Sequence, residues 1–164
     1  ESLIRPRFQR WLRDVLMQCE KSHRRRIIFE LAEVDVCQHM TRLQPVVRLL
    51  HALGVRVAVT QAGLALVSTT WIKQLEIELI KLDPVLVRNI EKRSQNQLLV
   101  QSLVEACKGT SIQVFAAGVR SRGEWQVLTE CGVFGGQGDF FAASQPLDAN
   151  VKKYSQRYWV WPAV

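Results

Sequence analysis

The chain has 164 residues, enough for one domain with a sizeable buried core. With 48% hydrophobic and 23% charged residues it has the composition of an ordinary globular domain. It has no apolar run approaching the roughly 20 residues of a membrane-spanning helix, and no signal-peptide pattern at its start. The net charge of +7 admits an acidic protein, RNA or a membrane surface as partner and does not choose among them.

Taken in order, the chain alternates helix and strand. Pro6 to Glu20 places Phe8, Trp11, Leu12, Val15 and Leu16 at helical spacing. Ile27 to Leu31 is a short apolar run suited to a buried strand. Gln44 to Leu53 reads as helix and stops at Gly54, which suits the left-handed turn after a helix. Val55 to Val59 reads as strand, Ser68 to Gln74 as helix and Ile77 to Leu82 as strand. Pro84 fits the first turn of a short helix, where its missing N–H costs little. Ser94 to Lys108 is a longer amphipathic helix, Ile112 to Ala116 a strand, Arg122 to Cys131 a helix and Val133 to Gly136 a last strand. Five strands separated by helices of this length predict parallel βαβ units. A closed (β/α)₈ barrel takes about eight strands and about 250 residues, so the pattern predicts either an open α/β sheet or part of a barrel.

Cys19, Cys37, Cys107 and Cys131 are scattered, without the close pairs of a zinc site, and read as buried free thiols. His23, His39 and His51 share no ligand spacing and read as structural.

The predicted strand ends carry a pattern. Phe29-Glu30-Leu31-Ala32-Glu33 resembles the "ELTE" segment of EAL domains, and Ile80-Lys81-Leu82-Asp83, with Leu86-Val87 after it, resembles their "KID" segment. Phe115-Ala116-Ala117-Gly118-Val119-Arg120 stands where that family has "AEGVE". Gly136 to Phe141, followed by Gln145-Pro146-Leu147, resembles its closing "QGY" region. Four such segments in order make the chain similar to the later two-thirds of an EAL domain over residues 1–150, with 151–164 as a basic, aromatic tail. The resemblance implies a TIM-like (β/α) barrel whose first strands lie upstream of Glu1. It also implies descent from enzymes that cleave cyclic di-GMP with two divalent metals.

Two-metal hydrolysis takes several hard oxygen ligands to hold ions about 4 Å apart and generate hydroxide. By the resemblance, Glu30, Lys81, Asp83 and Gln137 are remnants of that site. Where the family writes "DDFGTG" this chain has Thr60-Gln61-Ala62-Gly63-Leu64-Ala65, so two carboxylates are replaced by a hydroxyl and an amide. Ala117 stands at a ligand glutamate, and Arg120 replaces a second acidic residue. A guanidinium stays charged, and at an effective dielectric near 20 two unit charges about 5 Å apart repel by roughly 3 kcal/mol. The expectation is a chain without catalytic residues, metal or cofactor. Weak cyclic di-GMP binding without hydrolysis is an alternative.

Within the family, Phe115 to Arg122, Gly135 to Asp148 and Val151 to Tyr158 are similar to a degenerate, regulatory EAL domain. That resemblance implies a role in RNase E-dependent decay of the small RNAs CsrB and CsrC. It further implies binding of the unphosphorylated glucose-specific phosphotransferase protein EIIA-Glc, and upstream membrane segments with a GGDEF domain. The chain would then be a cytoplasmic domain of a protein anchored in the inner membrane. A homodimer would cover open strand edges. Direct RNA binding is the other reading. Its candidates are Arg24, Arg25 and Arg26, entering the first strand, and Lys152, Lys153 and Arg157, set among tail aromatics that could stack on bases. Arg5, Arg7, Arg10 and Arg13 add a loose stripe on the first helix.

Overall fold

A computed structural model describes residues 2–64 and 70–142. Five strands, β1 (Ile28–Ala32), β2 (Arg56–Ala62), β3 (Leu79–Leu82), β4 (Gln113–Ala117) and β5 (Gly135–Gln137), form one sheet in the order β1-β2-β3-β4-β5. All four neighbouring pairs are parallel, so every connection is a crossover. The helices are α1 (Pro6–Gln18), α2 (Lys21–Arg24), α3 (Glu33–Ala52), α4 (Thr70–Gln74), α5 (Pro84–Val87), α6 (Ser94–Cys107) and α7 (Arg122–Glu130). None of them is long and apolar enough to cross a membrane.

Strand order settles the alternative left by the pattern. A doubly wound sheet reverses direction at a switch point, whereas here each strand is added beside the one before it, as in a barrel wall. The two faces of the sheet are accordingly unlike. Val57, Val59, Ile80, Leu82 and Val114 pack into the large core shared with Leu12, Leu16, Val36, Leu50, Leu103 and Leu128 of the helices. The opposite face holds a separate small cluster of Ala58, Leu79 and Phe115, with Ile28 and Phe134 against it. Alternation of side chains along each strand produces both faces from one sequence.

All five expected strands are present, their ends displaced by up to three residues. The larger difference is α3, which starts at Glu33 and not at Gln44. Pro45 resembles a helix start but lies inside this helix, and the backbone at His39 leaves helical geometry (φ −127°, ψ 22°). The kink blurs the apolar period of residues 33–43, although Val36 and Leu43 are buried. Arg24 to Arg26 lead into β1 as expected, by way of a helical turn at Lys21–Arg24. Pro84 opens α5 as expected, and Gly54 takes φ +81°. The four cysteines are free; Cys107 and Cys131 are buried, but Cys19 and Cys37 are only half-buried.

Candidate functional site

The C-terminal ends of the strands bring most of the singled-out residues into one layer. Registration pairs Glu30 with Ala58 and Ala32 with Thr60. It also pairs Lys81 with Phe115 and Ala117 with Gln137. Laterally paired residues of a parallel sheet share a face, and alternation links these pairs to the small inner cluster. Glu30, Thr60, Lys81, Ala117 and Gln137 therefore line the same face as that cluster, Glu30 level with Ala58, Lys81 with Phe115, and Ala117 and Gln137 one step further along. They present one carboxylate, one hydroxyl, one ammonium, one methyl and one amide.

The carboxylate and the ammonium meet. Lys81 Nζ forms an ion pair with Glu30 Oε1, reaching from β3 across β2 to β1. The Lys81 side chain is 11% exposed and that of Glu30 42%, so the pair runs from the wall of the sheet into the open concavity. A lysine buried to this degree gains from a carboxylate partner, which offsets the cost of removing its charge from water.

Thr60 and Gln61 stand at a break in the ladder. Val59 pairs with Ile80 but Ala62 pairs with Leu82, so β2 holds one extra residue between them. Gln61 takes up the bulge at φ +54°, a left-handed conformation that disfavours a non-glycine residue by about 1 kcal/mol. Gly63 follows at φ +97° and donates its N–H to Glu33 Oε2 at 2.9 Å. A side chain at Gly63 would also meet Leu86 Cδ1 at 2.4 Å.

Asp83 follows Lys81 by two residues, just past the end of β3. It is the N-cap of α5, its Oδ1 accepting the Val85 N–H at 2.7 Å, which gives the carboxylate a structural use. Arg120 lies beyond the end of β4, exposed in the turn after Gly118. Its N–H donates to Glu124 Oε2 at 2.7 Å, and its positive charge acts on the same carboxylate. Arg24 is half-buried and its guanidinium touches Met17 Sδ at 3.4 Å, while Arg25 and Arg26 are exposed. Lys152, Lys153 and Arg157 lie outside the described residues.

Two carboxylates that order the strand-end loops are Glu33 and Glu124, and the residue reading assigned a role to neither. Glu124 is buried at 3% exposure. It accepts N–H bonds from Asn89 at 2.8 Å, Arg120 at 2.7 Å and Ser121 at 3.2 Å, while Ser121 Oγ accepts its own N–H. Burial pushes its pKa up, but these N–H groups and the Arg120 charge outweigh that and hold it below the usual carboxylate value. The Ser-x-x-Glu spacing of Ser121 and Glu124 was the available signal, a capping box. Among the described residues, no three His, Cys, Asp or Glu side chains are grouped as metal ligands.

A parallel, singly wound sheet with a polar layer at its strand ends defines the (β/α)-barrel class, and the family model described as "EAL domain" matches residues 1–144. The chain belongs to the EAL domain family. It is 78% identical, over 98% of its length, to the RNase E specificity factor CsrD of Escherichia coli, of which it spans 25%. It is 32% identical over 79% of its length to the cyclic di-GMP phosphodiesterase PdeR of the same organism, of which it spans 19%. It thus covers a quarter or less of these two curated relatives.

Among solved structures, Klebsiella pneumoniae BlrP1 in a calcium and cyclic di-GMP complex superposes with a TM-score of 0.74 at 26% identity, over 87% of this chain and 36% of that one. The PaMucR phosphodiesterase in complex with cyclic di-GMP gives a TM-score of 0.78 at 20% identity, over 92% and 66%. The second likeness speaks for the fold alone.

Proposed function

We propose that this chain is a non-catalytic regulatory module that promotes RNase E-dependent decay of small regulatory RNAs, CsrB and CsrC among them. In this reading it binds unphosphorylated EIIA-Glc and is the cytoplasmic part of a protein anchored in the inner membrane. The observation that carries the non-catalytic part is the inward layer. Of the five residues in that layer only Glu30 carries a carboxylate, and Lys81 pairs with it. Magnesium and manganese take several oxygen ligands, and Thr60 and Ala117 offer a hydroxyl and a methyl where a two-metal site would take carboxylates. The RNA-decay part is supported by the 78% identity to a protein named as an RNase E specificity factor.

Calorimetric titration with EIIA-Glc tests the partner. The unphosphorylated form gives a saturable heat, and phosphorylation weakens it at least about tenfold by adding charge and bulk at the interface. Flat titrations with both forms would remove EIIA-Glc from the reading.

A further inference from the structure

The net charge is not spread over the surface. Eight of the 22 basic residues fall between Arg5 and Arg26, where the only acids are Asp14 and Glu20. At about 100° per residue, Arg10, Arg13 and Met17 lie within one 60° sector of α1. Arg24, on α2, lays its guanidinium against the Met17 sulfur at 3.4 Å and so joins that sector to the turn before β1. Arg25 and Arg26 extend it to the N-terminal end of the strand. Arg10, Arg13, Arg25 and Arg26 are all exposed. The result is an arginine arc that runs from α1 to the N-terminal end of β1, the strand end away from Thr60, Ala117 and Gln137.

We propose that this arc is a sequence-nonspecific binding surface for the phosphate backbone of RNA. The proposal rests on the RNA-decay reading and locates the contact on this chain. The chemistry favours phosphate. Seven of the eight cations between Arg5 and Arg26 are arginine, whose planar donors match phosphate oxygens in pairs, and they follow a line along a helix and a turn. A membrane-surface helix needs a wide apolar face free to insert, and in α1 Leu12 and Leu16 are taken up by the core, leaving Trp11, Val15 and Met17 exposed. Trp11, exposed on the same helix, adds a ring that can stack on an unpaired base beside phosphate-holding arginines, a pairing suited to single-stranded RNA. The local acids do not cancel the arc: Asp14 meets Arg13 at 2.9 Å on the surface, and Glu20 lies 3.8 Å from His23.

The test uses the intact protein and a mixed-sequence single-stranded RNA, followed by fluorescence anisotropy across a salt series. The variant R10Q/R13Q/R25Q/R26Q changes only exposed side chains. It should bind at least tenfold more weakly, and the slope of log affinity against log salt should flatten by about three, at about 0.7 per lost phosphate contact. R10Q/R13Q alone should flatten it by about 1.4 on the same basis, which keeps the test decisive if the quadruple variant folds poorly. R42Q/R48Q, on the exposed side of α3, should bind as the parent does. The proposal is overturned by unchanged affinity and slope in the arc variants, by an equal loss in R42Q/R48Q, or by arginine-dependent binding to phosphatidylglycerol vesicles with none to RNA. RNase E-dependent decay rates score the regulatory reading separately. Decay promoted by a protein whose RNA titration is flat would remove this surface and leave that reading standing.

Discussion

Lys81 and Glu30 are paired across an intervening strand, the lysine side chain far more enclosed than the carboxylate. Removing one member affects the two charges unequally because they are unequally exposed. Glu30→Ala takes a counter-charge from an ammonium whose side chain is 11% exposed, whereas Lys81→Met takes one from a carboxylate that is 42% exposed and open to water. Glu30→Ala should therefore destabilise more, by about 1–3 kcal/mol, while Lys81→Met stays within about 1 kcal/mol of the parent because a methylene stem still packs. Urea unfolding of both variants decides it, and the reverse order would show that Lys81 is not held by this pair.

Glu124 makes acid stability depend on one carboxylate. Its pKa is lower folded than unfolded, so it contributes stability that is fully present above the unfolded value of about 4.5 and lost as pH falls through the lower folded one. Glu124→Gln keeps the shape but weakens the three N–H bonds, each worth about 1.5 kcal/mol or more to a charged acceptor. The variant should be less stable at pH 7, and the gap from the parent should close as pH drops below about 4. Thermal melts from pH 7 to pH 3 check this. A gap that is constant across that range would mean that the carboxylate charge is not what the loop uses.

Much of this was legible in the sequence, and the failures share a cause. Strands were readable because β1 to β4 are short apolar runs buried on at least one face, and because Gly54 and Pro84 mark an element's end and start as local chemistry dictates. The layer Glu30, Thr60, Lys81, Ala117, Gln137 was legible as a set of strand ends. What joins its members was not: the Lys81–Glu30 pair spans 51 residues, and no local pattern reports it. The first half of α3 was hidden because Pro45 imitates a helix start and the kink at His39 shifts the apolar phase. The cap that Asp83 makes with the Val85 N–H was not legible, because a cap and a site remnant call for the same residue type.

Gly138 is fixed by close approach of two loops. At φ +148° its position would set a Cβ 2.2 Å from Val119 O and 2.4 Å from Val119 N, both backbone atoms. The Val119 N–H donates to Gln137 O, and the Phe140 N–H to Val119 O, so the two loops are stitched on either side of the glycine. Gly138→Ala must part them, at a cost of about 1–3 kcal/mol or more. Gly123, in the first turn of α7, has no neighbour closer than 3.8 Å to its hypothetical Cβ. Gly123→Ala should stabilise by about 0.5–1 kcal/mol by restricting the unfolded chain. Opposite shifts in melting temperature for the two glycine variants are the expected result.

Cys107 should behave as an inert thiol until the fold opens. It is 5% exposed at the end of α6, and burial pushes its pKa up to about 11. At pH 8 only about one thiol in 10³ is then ionised, and the thiolate is the species that reacts. Iodoacetamide labelling read by mass spectrometry should modify the half-buried Cys19 first, and Cys107 only at denaturant concentrations that unfold the chain. Early labelling of Cys107 would show that α6 leaves the core independently.

Metal chemistry gives the most direct check on the non-catalytic reading. Manganese added to the intact protein should produce no saturable heat, and cyclic di-GMP should survive incubation with it, because Glu30 is the layer's sole carboxylate and Lys81 competes for it. The informative variant is Lys81→Ala, which frees that carboxylate. One free carboxylate binds a divalent ion only weakly in water, so turnover should remain absent even there. Saturable manganese binding that strengthens in Lys81→Ala and is accompanied by cleavage would mean that oxygen ligands outside this layer complete a working metal centre, and the regulatory reading would have to give way to an enzymatic one.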